Sequence, residues 1–126
     1  MKTVIRTDKA PAALGPYSVG IVANGFVFCS GQLGIDPGTG DFVSGGVSAQ
    51  AEQAMKNLNS VLAASGCGFK DIVKTTIFLA DMADFAEVNK IYGSYFESDF
   101  PARSTIAVKT LPKSGLVEIE AIAVLP

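Results

Sequence analysis

The spacing of hydrophobic and polar positions along the 126 residues predicts two amphipathic helices. Over residues 47–65 the apolar side chains recur at helical spacing, and Gly66 follows where a C-terminal cap favours glycine. A second helix is predicted over about residues 82–96, with Asp81 as its N-cap. This helix carries an aromatic stripe, which we interpret as core packing.

Short segments rich in β-branched and aromatic residues predict six strands. Asn24-Gly25 is the preferred two-residue type I′ turn, so the second and third strands should form a hairpin. The order β, β-hairpin, α, β, α, β, β predicts one α+β domain over residues 1–126, with two helices on one face of a mixed sheet. The strands are predicted at residues 3–6, 20–23, 26–29, 71–79, 104–110 and 116–124.

Composition favours an oligomer and argues against two kinds of partner. Apolar residues make up 48% of the chain, which is high for a small domain, and the uncovered sheet face should therefore meet other subunits. The net charge is −2 and the basic residues are scattered, so we expect no nucleic-acid partner. No apolar run approaches the roughly 18 residues of a membrane span, and the N-terminus turns polar at once. We therefore expect a cytoplasmic protein without membrane contact.

The chain contains no histidine, which removes the commonest general base and the commonest zinc ligand. Cys29 and Cys67 lack metal-site spacing and are expected to be reduced thiols. Chemistry is thus left to arginine, lysine, carboxylates, hydroxyls, backbone groups and water.

The densest group of candidate functional residues lies near the end of the chain. If the last two strands are antiparallel neighbours, Arg103 and Glu118 lie nearly opposite each other. One interpretation is an ordinary cross-strand ion pair. The other is that Arg103 presents its planar fork to a substrate carboxylate while Glu118 holds a water molecule.

Two further segments have alternative interpretations. Tyr17 lies in a proline-containing loop and either packs on the sheet or serves a pocket. Ser30-Gly31 follows the hairpin and is either a bulge or a place where a backbone N–H approaches a ligand.

Together these segments resemble the reactive intermediate deaminase family (Rid, also called YjgF) over essentially the whole chain. The resemblance implies a chorismate-mutase-like fold and a homotrimer, with three sheets around an inner barrel and three sites in clefts between subunits. It also implies hydrolysis of 2-iminopropanoate and 2-iminobutanoate to 2-oxo acids, with no cofactor or metal. The matching segments are residues 10–12, 15–18, 30–32, 71–74, 84–92, 101–104, 111–113 and 117–121.

The resemblance also implies roles for individual residues. Arg103 corresponds to the arginine that binds the substrate carboxylate, and Glu118 to the acid that places the attacking water. Beside Arg103, Glu118 is expected to stay ionised. Tyr17 corresponds to the tyrosine that lines the cleft, while Ser30 and Gly31 correspond to the pocket wall.

Two more positions complete the implied site. Asn89 corresponds to a position near the neighbouring subunit's site. Thr105 is a departure, because many relatives have cysteine there; since the implied ligand contact is through the backbone, threonine should be tolerated, and a thiol mechanism is disfavoured.

Three alternative functions remain open. The chain could bind or sense 2-oxo acids through Arg103 without catalysis, although a second carboxylate at Glu118 favours an enzyme. An RNA-directed role, as translation inhibitor or ribonuclease, conflicts with the acidic composition. A structural trimer would not depend on Arg103.

Overall fold

One six-stranded sheet with two helices forms the framework of the protein. A computed structural model describes residues 1–126. The helices are α1, Gly46–Ala64, and α2, Phe85–Gly93. The strands are β1, Lys2–Ile5; β2, Gly20–Ala23; β3, Phe26–Leu33; β4, Ile72–Leu79; β5, Ala102–Ala107; and β6, Val117–Val124.

The strand order across the sheet is β1-β2-β3-β6-β4-β5. All neighbours pair antiparallel except β4 and β5, which are parallel and are joined through α2. The predicted α+β class and element order are confirmed. The predicted pairing of the last two strands is wrong, because β5 occupies one edge of β4 while β6 occupies the other.

Local sequence signals correctly predicted the hairpin turn and the helix caps. Asn24 and Gly25 both have positive φ and join β2 to β3 as a two-residue hairpin turn. Gly66 has φ 84° just beyond α1, and Asp81 caps its turn by accepting a hydrogen bond from the backbone N–H of Ala83 at 2.8 Å. The helix α2 is shorter than predicted, since residues 82–84 form a separate 3₁₀ turn and the helix ends at Gly93.

The main core lies between the helices and one sheet face. Met55, Leu58 and Leu62 of α1 are fully buried there, against Ile77 and Ile119 of the sheet. Removal of this apolar surface from water is the main stabilising contribution to the fold. Each helix has one apolar stripe, which it buries against this face of the sheet.

Asn57 ties α1 to the end of β3. Its side-chain amide donates hydrogen bonds to the carbonyl oxygens of Leu33 and Ile35, at 3.0 and 2.8 Å. A small second cluster, formed by Leu33, Ile35 and Leu111, packs next to this end of the strand. These contacts fix the segment that borders the glutamate cavity described below.

The sheet face away from the helices exposes large apolar side chains. Phe26 and Phe28 of β3, Ile106 of β5 and Val124 of β6 are all at least 40% exposed. Phe26 and Val124 are direct neighbours on adjoining strands, and an exposed apolar patch of this kind is typical of a protein–protein interface. The predicted contact with other subunits therefore agrees with the surface of the chain, while the number of subunits stays a prediction.

Candidate active site

Arg103 lies in a cleft between β5 and α2, which we call the arginine cleft. Its Nη1 donates a hydrogen bond to Oδ1 of Asn89 at 2.7 Å. Its guanidinium carbon lies 5.7 Å from the ring centre of Phe85 and 5.1 Å from that of Tyr92. Positions 85, 89 and 92 are spaced four and three apart, so α2 presents all three to Arg103 from one helical face.

The partners of Arg103 hold its position without neutralising it. Asn89 contributes a neutral amide, and the two aromatic rings contribute the electron-rich faces that attract cations. The cleft has a volume of about 450 Å³ and is open to solvent. A planar cation held in this way can bind a carboxylate through two parallel hydrogen bonds. The lining residues are Asn89, Tyr92, Gly93, Phe100, Pro101 and Arg103.

Thr105 lies two positions beyond Arg103 on β5, and therefore on the same face of the sheet. Its Oγ1 is buried and has no hydrogen-bond partner within the chain. A buried hydroxyl without a partner is costly, which makes this position one where an added ligand or subunit could supply the missing bond.

Glu118 lies in a different cavity, which we call the glutamate cavity, with a volume of about 190 Å³. Glu118 and Tyr17 line it with polar side chains, and Gln32 also contributes to its wall. The remaining lining residues are mainly small or apolar: Pro11, Ala12, Leu14, Val19, Gly31, Leu33, Ile35 and Pro112. A single carboxylate in largely apolar surroundings is a typical arrangement for a general base.

Gly31 lies directly against the Glu118 side chain. The pairing of β3 with β6 shifts between Cys29 and Gln32, so Ser30-Gly31 forms a bulge. A Cβ atom at Gly31 would lie only 2.6 Å from Oε2 of Glu118. The bulge interpretation is thus confirmed, and the missing side chain leaves the space that the carboxylate occupies.

Ser30 and Tyr17 shape the rim of the glutamate cavity. The hydroxyl of Ser30 donates a hydrogen bond to the carbonyl of Ser18 at 2.6 Å, so it secures the adjoining loop. Tyr17 is 51% exposed, and its hydroxyl accepts a hydrogen bond from the backbone N–H of Leu14 at 3.2 Å. The tyrosine therefore contributes to the cavity wall instead of packing into the core.

Burial raises the pKa of the Glu118 carboxyl, and the nearby charge of Glu120 raises this pKa further. Within one chain Arg103 is not among the groups that shift this pKa, so the expectation that Arg103 keeps Glu118 ionised stays a prediction for the assembled site. A carboxylate with a raised pKa accepts a proton more readily than an exposed one, which suits the role of general base.

Arg103 and Glu118 lie on opposite faces of the sheet. Arg103 pairs with Thr75 of β4, and the Thr75 side chain contacts Tyr92 of α2, so Arg103 faces the helices. Glu118 pairs with Phe78, three positions along the same strand, and so points to the other face. The predicted cross-strand neighbourhood of Arg103 and Glu118, and with it the ion pair, is wrong.

The sequence-predicted residues thus fall into two groups within one chain. Arg103, Asn89 and Thr105 belong to the helix-covered face. Tyr17, Ser30, Gly31 and Glu118 gather around the other cavity or its rim. Sequence reasoning missed the contact of Phe85 and Tyr92 with Arg103, although the helical spacing of 85, 89 and 92 was available as a signal.

The fold, the arginine cleft and the glutamate cavity define a small α+β protein of the Rid (YjgF) type. Residues 7–125 match the family described as Endoribonuclease L-PSP, and the chain belongs to this family. The resemblance found in the sequence is confirmed. No helix is long and apolar enough to cross a membrane.

Similar proteins support the same family at high identity. A human protein named 2-iminobutanoate/2-iminopropanoate deaminase is 50% identical over 124 residues, which cover 98% of this chain and 90% of that protein. The crystal structure of a protein from Thermotoga maritima, described as a putative endoribonuclease, has a TM-score of 0.96 at 46% identity and covers 100% of this chain and 99% of its own. The structure of E. coli TdcF with bound serine has a TM-score of 0.93 at 38% identity and covers 98% and 99% of the two chains.

Proposed function

We propose that this protein is a hydrolase that converts short 2-imino acids, such as 2-iminopropanoate and 2-iminobutanoate, to 2-oxo acids and ammonia. The observation that supports it most strongly is the uncompensated, rigidly held Arg103 in an open cleft, which suits a small carboxylate substrate. The name of the human relative, at 50% identity over nearly the whole chain, supports the same reaction.

The proposed site is assembled between two copies of the chain. Arg103 and Glu118 face opposite sides of one sheet, so a site that uses both must take them from different subunits. Arg103, Asn89 and Thr105 would come from one subunit, while Tyr17, Gly31 and Glu118 would come from the next, with Ser30 securing the wall. The exposed apolar sheet face supports the oligomer that such an arrangement requires, and the proposed trimer rests on the family resemblance.

Each step of the reaction has a group suited to it. Arg103 binds the carboxylate and holds C2 of the protonated imine in place, which lowers the entropic cost of the attack. Glu118 accepts a proton as the oxygen of a water molecule bonds to C2, and the C=N electron pair moves to nitrogen. Glu118 returns this proton to the nitrogen of the carbinolamine, and ammonia leaves as the C=O bond forms. The hydroxyl proton then passes to Glu118, which releases it to solvent. The overall reaction is redox-neutral and consumes only water.

Imine hydrolysis measured with single-site variants tests this function. The substrate would be generated in situ from threonine with a dehydratase or from alanine with an amino-acid oxidase, and its loss followed with semicarbazide as the trap. We expect wild type to accelerate imine loss, and Arg103→Ala and Glu118→Ala to fall to near the background rate. Arg6→Ala removes the other arginine of the chain, which is exposed, and serves as the charge-matched control.

A second candidate function is binding of small amino or 2-oxo acids without catalysis. The bound serine in the TdcF structure favours it, because that protein shares the fold over nearly the whole chain. Wild type that left imine loss at background, while binding 2-oxobutanoate through Arg103, would replace the deaminase proposal with this one. A cytoplasmic location and the absence of a nucleic-acid partner stay predictions from the sequence.

A further inference from the structure

We propose that Tyr92 and Thr75 are positioning residues, which hold the Arg103 guanidinium in the orientation that binds the substrate carboxylate. The two side chains form a buried hydroxyl pair directly beneath the arginine cleft. The structural claim concerns Arg103 alone, whereas its consequence for catalysis rests on the proposed function.

The hydroxyl pair joins α2 to the strand beside Arg103. Thr75 Oγ1 and the Tyr92 hydroxyl lie 2.7 Å apart, and the two residues are 1% and 4% exposed. Thr75 on β4 is the register partner of Arg103 on β5. The bond therefore fixes the tip of the Tyr92 ring to the backbone position next to the arginine.

A second contact fixes the plane of the Tyr92 ring. The Phe96 ring packs against it, with 4.9 Å between the ring centres. With its tip hydrogen-bonded and its side packed, the ring keeps one face near the guanidinium carbon, at 5.1 Å. Asn89 accepts a hydrogen bond from one of the five guanidinium N–H groups, and the others remain available for a ligand.

Packing alone does not explain two hydroxyls at this position. A phenylalanine facing a valine would fill the same space without burying polar atoms, and replacing both partners of a buried hydrogen bond by apolar groups is often nearly neutral for stability. What the pair adds is a directional bond that defines where the ring lies. An arginine ordered in advance loses less conformational freedom when it binds its ligand, so affinity increases.

The pair is expected to remain intact across the physiological pH range. Burial raises the pKa of the Tyr92 hydroxyl, although the hydrogen bond with Thr75 and the charge of Arg103 act in the opposite direction. The phenol therefore stays protonated and keeps its hydrogen bond under assay conditions.

The first test separates substrate binding from the chemical step. Tyr92→Phe and Thr75→Val each remove one hydroxyl, and each should raise KM for the imine and Kd for 2-oxobutanoate about three- to tenfold while leaving kcat within about twofold. The double variant should be no worse than either single variant, because the two changes remove the same bond.

Tyr95→Phe is the matched control. It removes the 2.6 Å hydrogen bond from another tyrosine hydroxyl to Glu52, away from Arg103, and should leave KM and Kd unchanged.

The second test observes Arg103 without any substrate. The chain has two arginines, and exposed Arg6 gives an internal reference for the Nε–Hε signal of Arg103 in a ¹H–¹⁵N NMR spectrum. In wild type this signal should be sharp and displaced by the ring current of Tyr92, and in Tyr92→Phe and Thr75→Val it should move towards that of Arg6 and broaden. Unchanged Arg103 signals, or unchanged KM and Kd in both variants, would overturn the proposal. If wild type did not accelerate imine loss, the deaminase function would be overturned instead. The NMR comparison would still decide the role of Tyr92, because it needs no substrate.

Discussion

Arg103 and Glu118 point to opposite faces of one sheet, on β5 and β6, and β4 runs between them. No rotation of either side chain can bring the two groups together across the buried sheet. The proposed reaction needs both of them, so it makes the active site a property of the assembly. An active site formed between subunits leads to a prediction that would not hold for an active site contained in one chain.

Mixing two inactive variants should restore activity. Consider a trimer in which each site takes Arg103 from one subunit and Glu118 from the next. Any trimer that contains both Arg103→Ala and Glu118→Ala subunits then has one intact site. Random assembly of equal amounts should therefore recover about one quarter of wild-type activity. The measurement is imine hydrolysis after the two variants are unfolded and refolded together.

Refolding each variant separately provides the control for this experiment and should give no activity. If the mixture also stayed inactive while forming trimers of normal size, the two residues would not act in a shared intersubunit site.

Substitution of Gly31 should displace Glu118. In Gly31→Ala the new Cβ would lie 2.6 Å from Oε2 of Glu118, so the carboxylate must move away from the place it occupies in the cavity. We expect kcat to fall about tenfold or more, because general-base catalysis depends on hydrogen-bonding distance to the water. Steady-state imine hydrolysis is the measurement.

Gly68→Ala is the matched control for Gly31→Ala, because nothing lies within 4 Å of a Cβ at Gly68. Its kcat should equal that of wild type. A Gly31→Ala protein with wild-type kcat would show that the position of Glu118 in this cavity does not matter for the reaction.

Removal of the neighbouring charge should change the pH dependence. The pKa of Glu118 is raised first by burial and then by Glu120. In Glu120→Gln the repulsion that disfavours the ionised form disappears, so the pKa of Glu118 falls. The acid limb of kcat/KM, which reports ionisation of the base in the free enzyme, should therefore move to lower pH.

The same profile for Glu97→Gln, an exposed carboxylate outside both clefts, should match that of wild type. An acid limb that stayed in place in Glu120→Gln would mean that Glu118 is not the group whose ionisation limits the rate.

Sequence patterns predicted those parts of the fold that depend on neighbouring residues. The Asn24-Gly25 turn, the glycine cap at Gly66 and the N-cap Asp81 all follow from local backbone preferences, and all were found. The pairing of β5 with β6 failed for a different reason. A strand can pair with any free edge of a sheet. The segment that follows α2 pairs in parallel with β4, and the sequence pattern does not specify this edge.

The candidate site was predicted residue by residue but not as an arrangement. The correspondence with a known family named Arg103, Asn89 and Glu118 as candidates, whereas the sheet faces on which they lie depend on which strands pair. Tyr92 was interpreted as core, and it is buried, yet the same helical face also cradles the arginine. Helical spacing shows which residues share a face, and it does not show what that face contacts.

Alkaline pH should destabilise the fold in part through Cys29. Both cysteines are free and buried, which confirms the predicted reduced thiols, and burial raises the pKa of Cys29 from 9.0 to about 12. Because the folded-state pKa lies above the unfolded value, the unfolded chain releases this proton first, and stability is lost as pH rises from about 9 to about 12. The Tm of wild type should therefore fall across this range, and that of Cys29→Ala should fall less steeply.

Tyr95, whose pKa is also raised to about 12, contributes to the remaining decline, so Tyr95→Phe should reduce the slope as well. Equal slopes in wild type and both variants, measured by circular dichroism at fixed ionic strength, would contradict the assignment of this pH dependence to Cys29 and Tyr95.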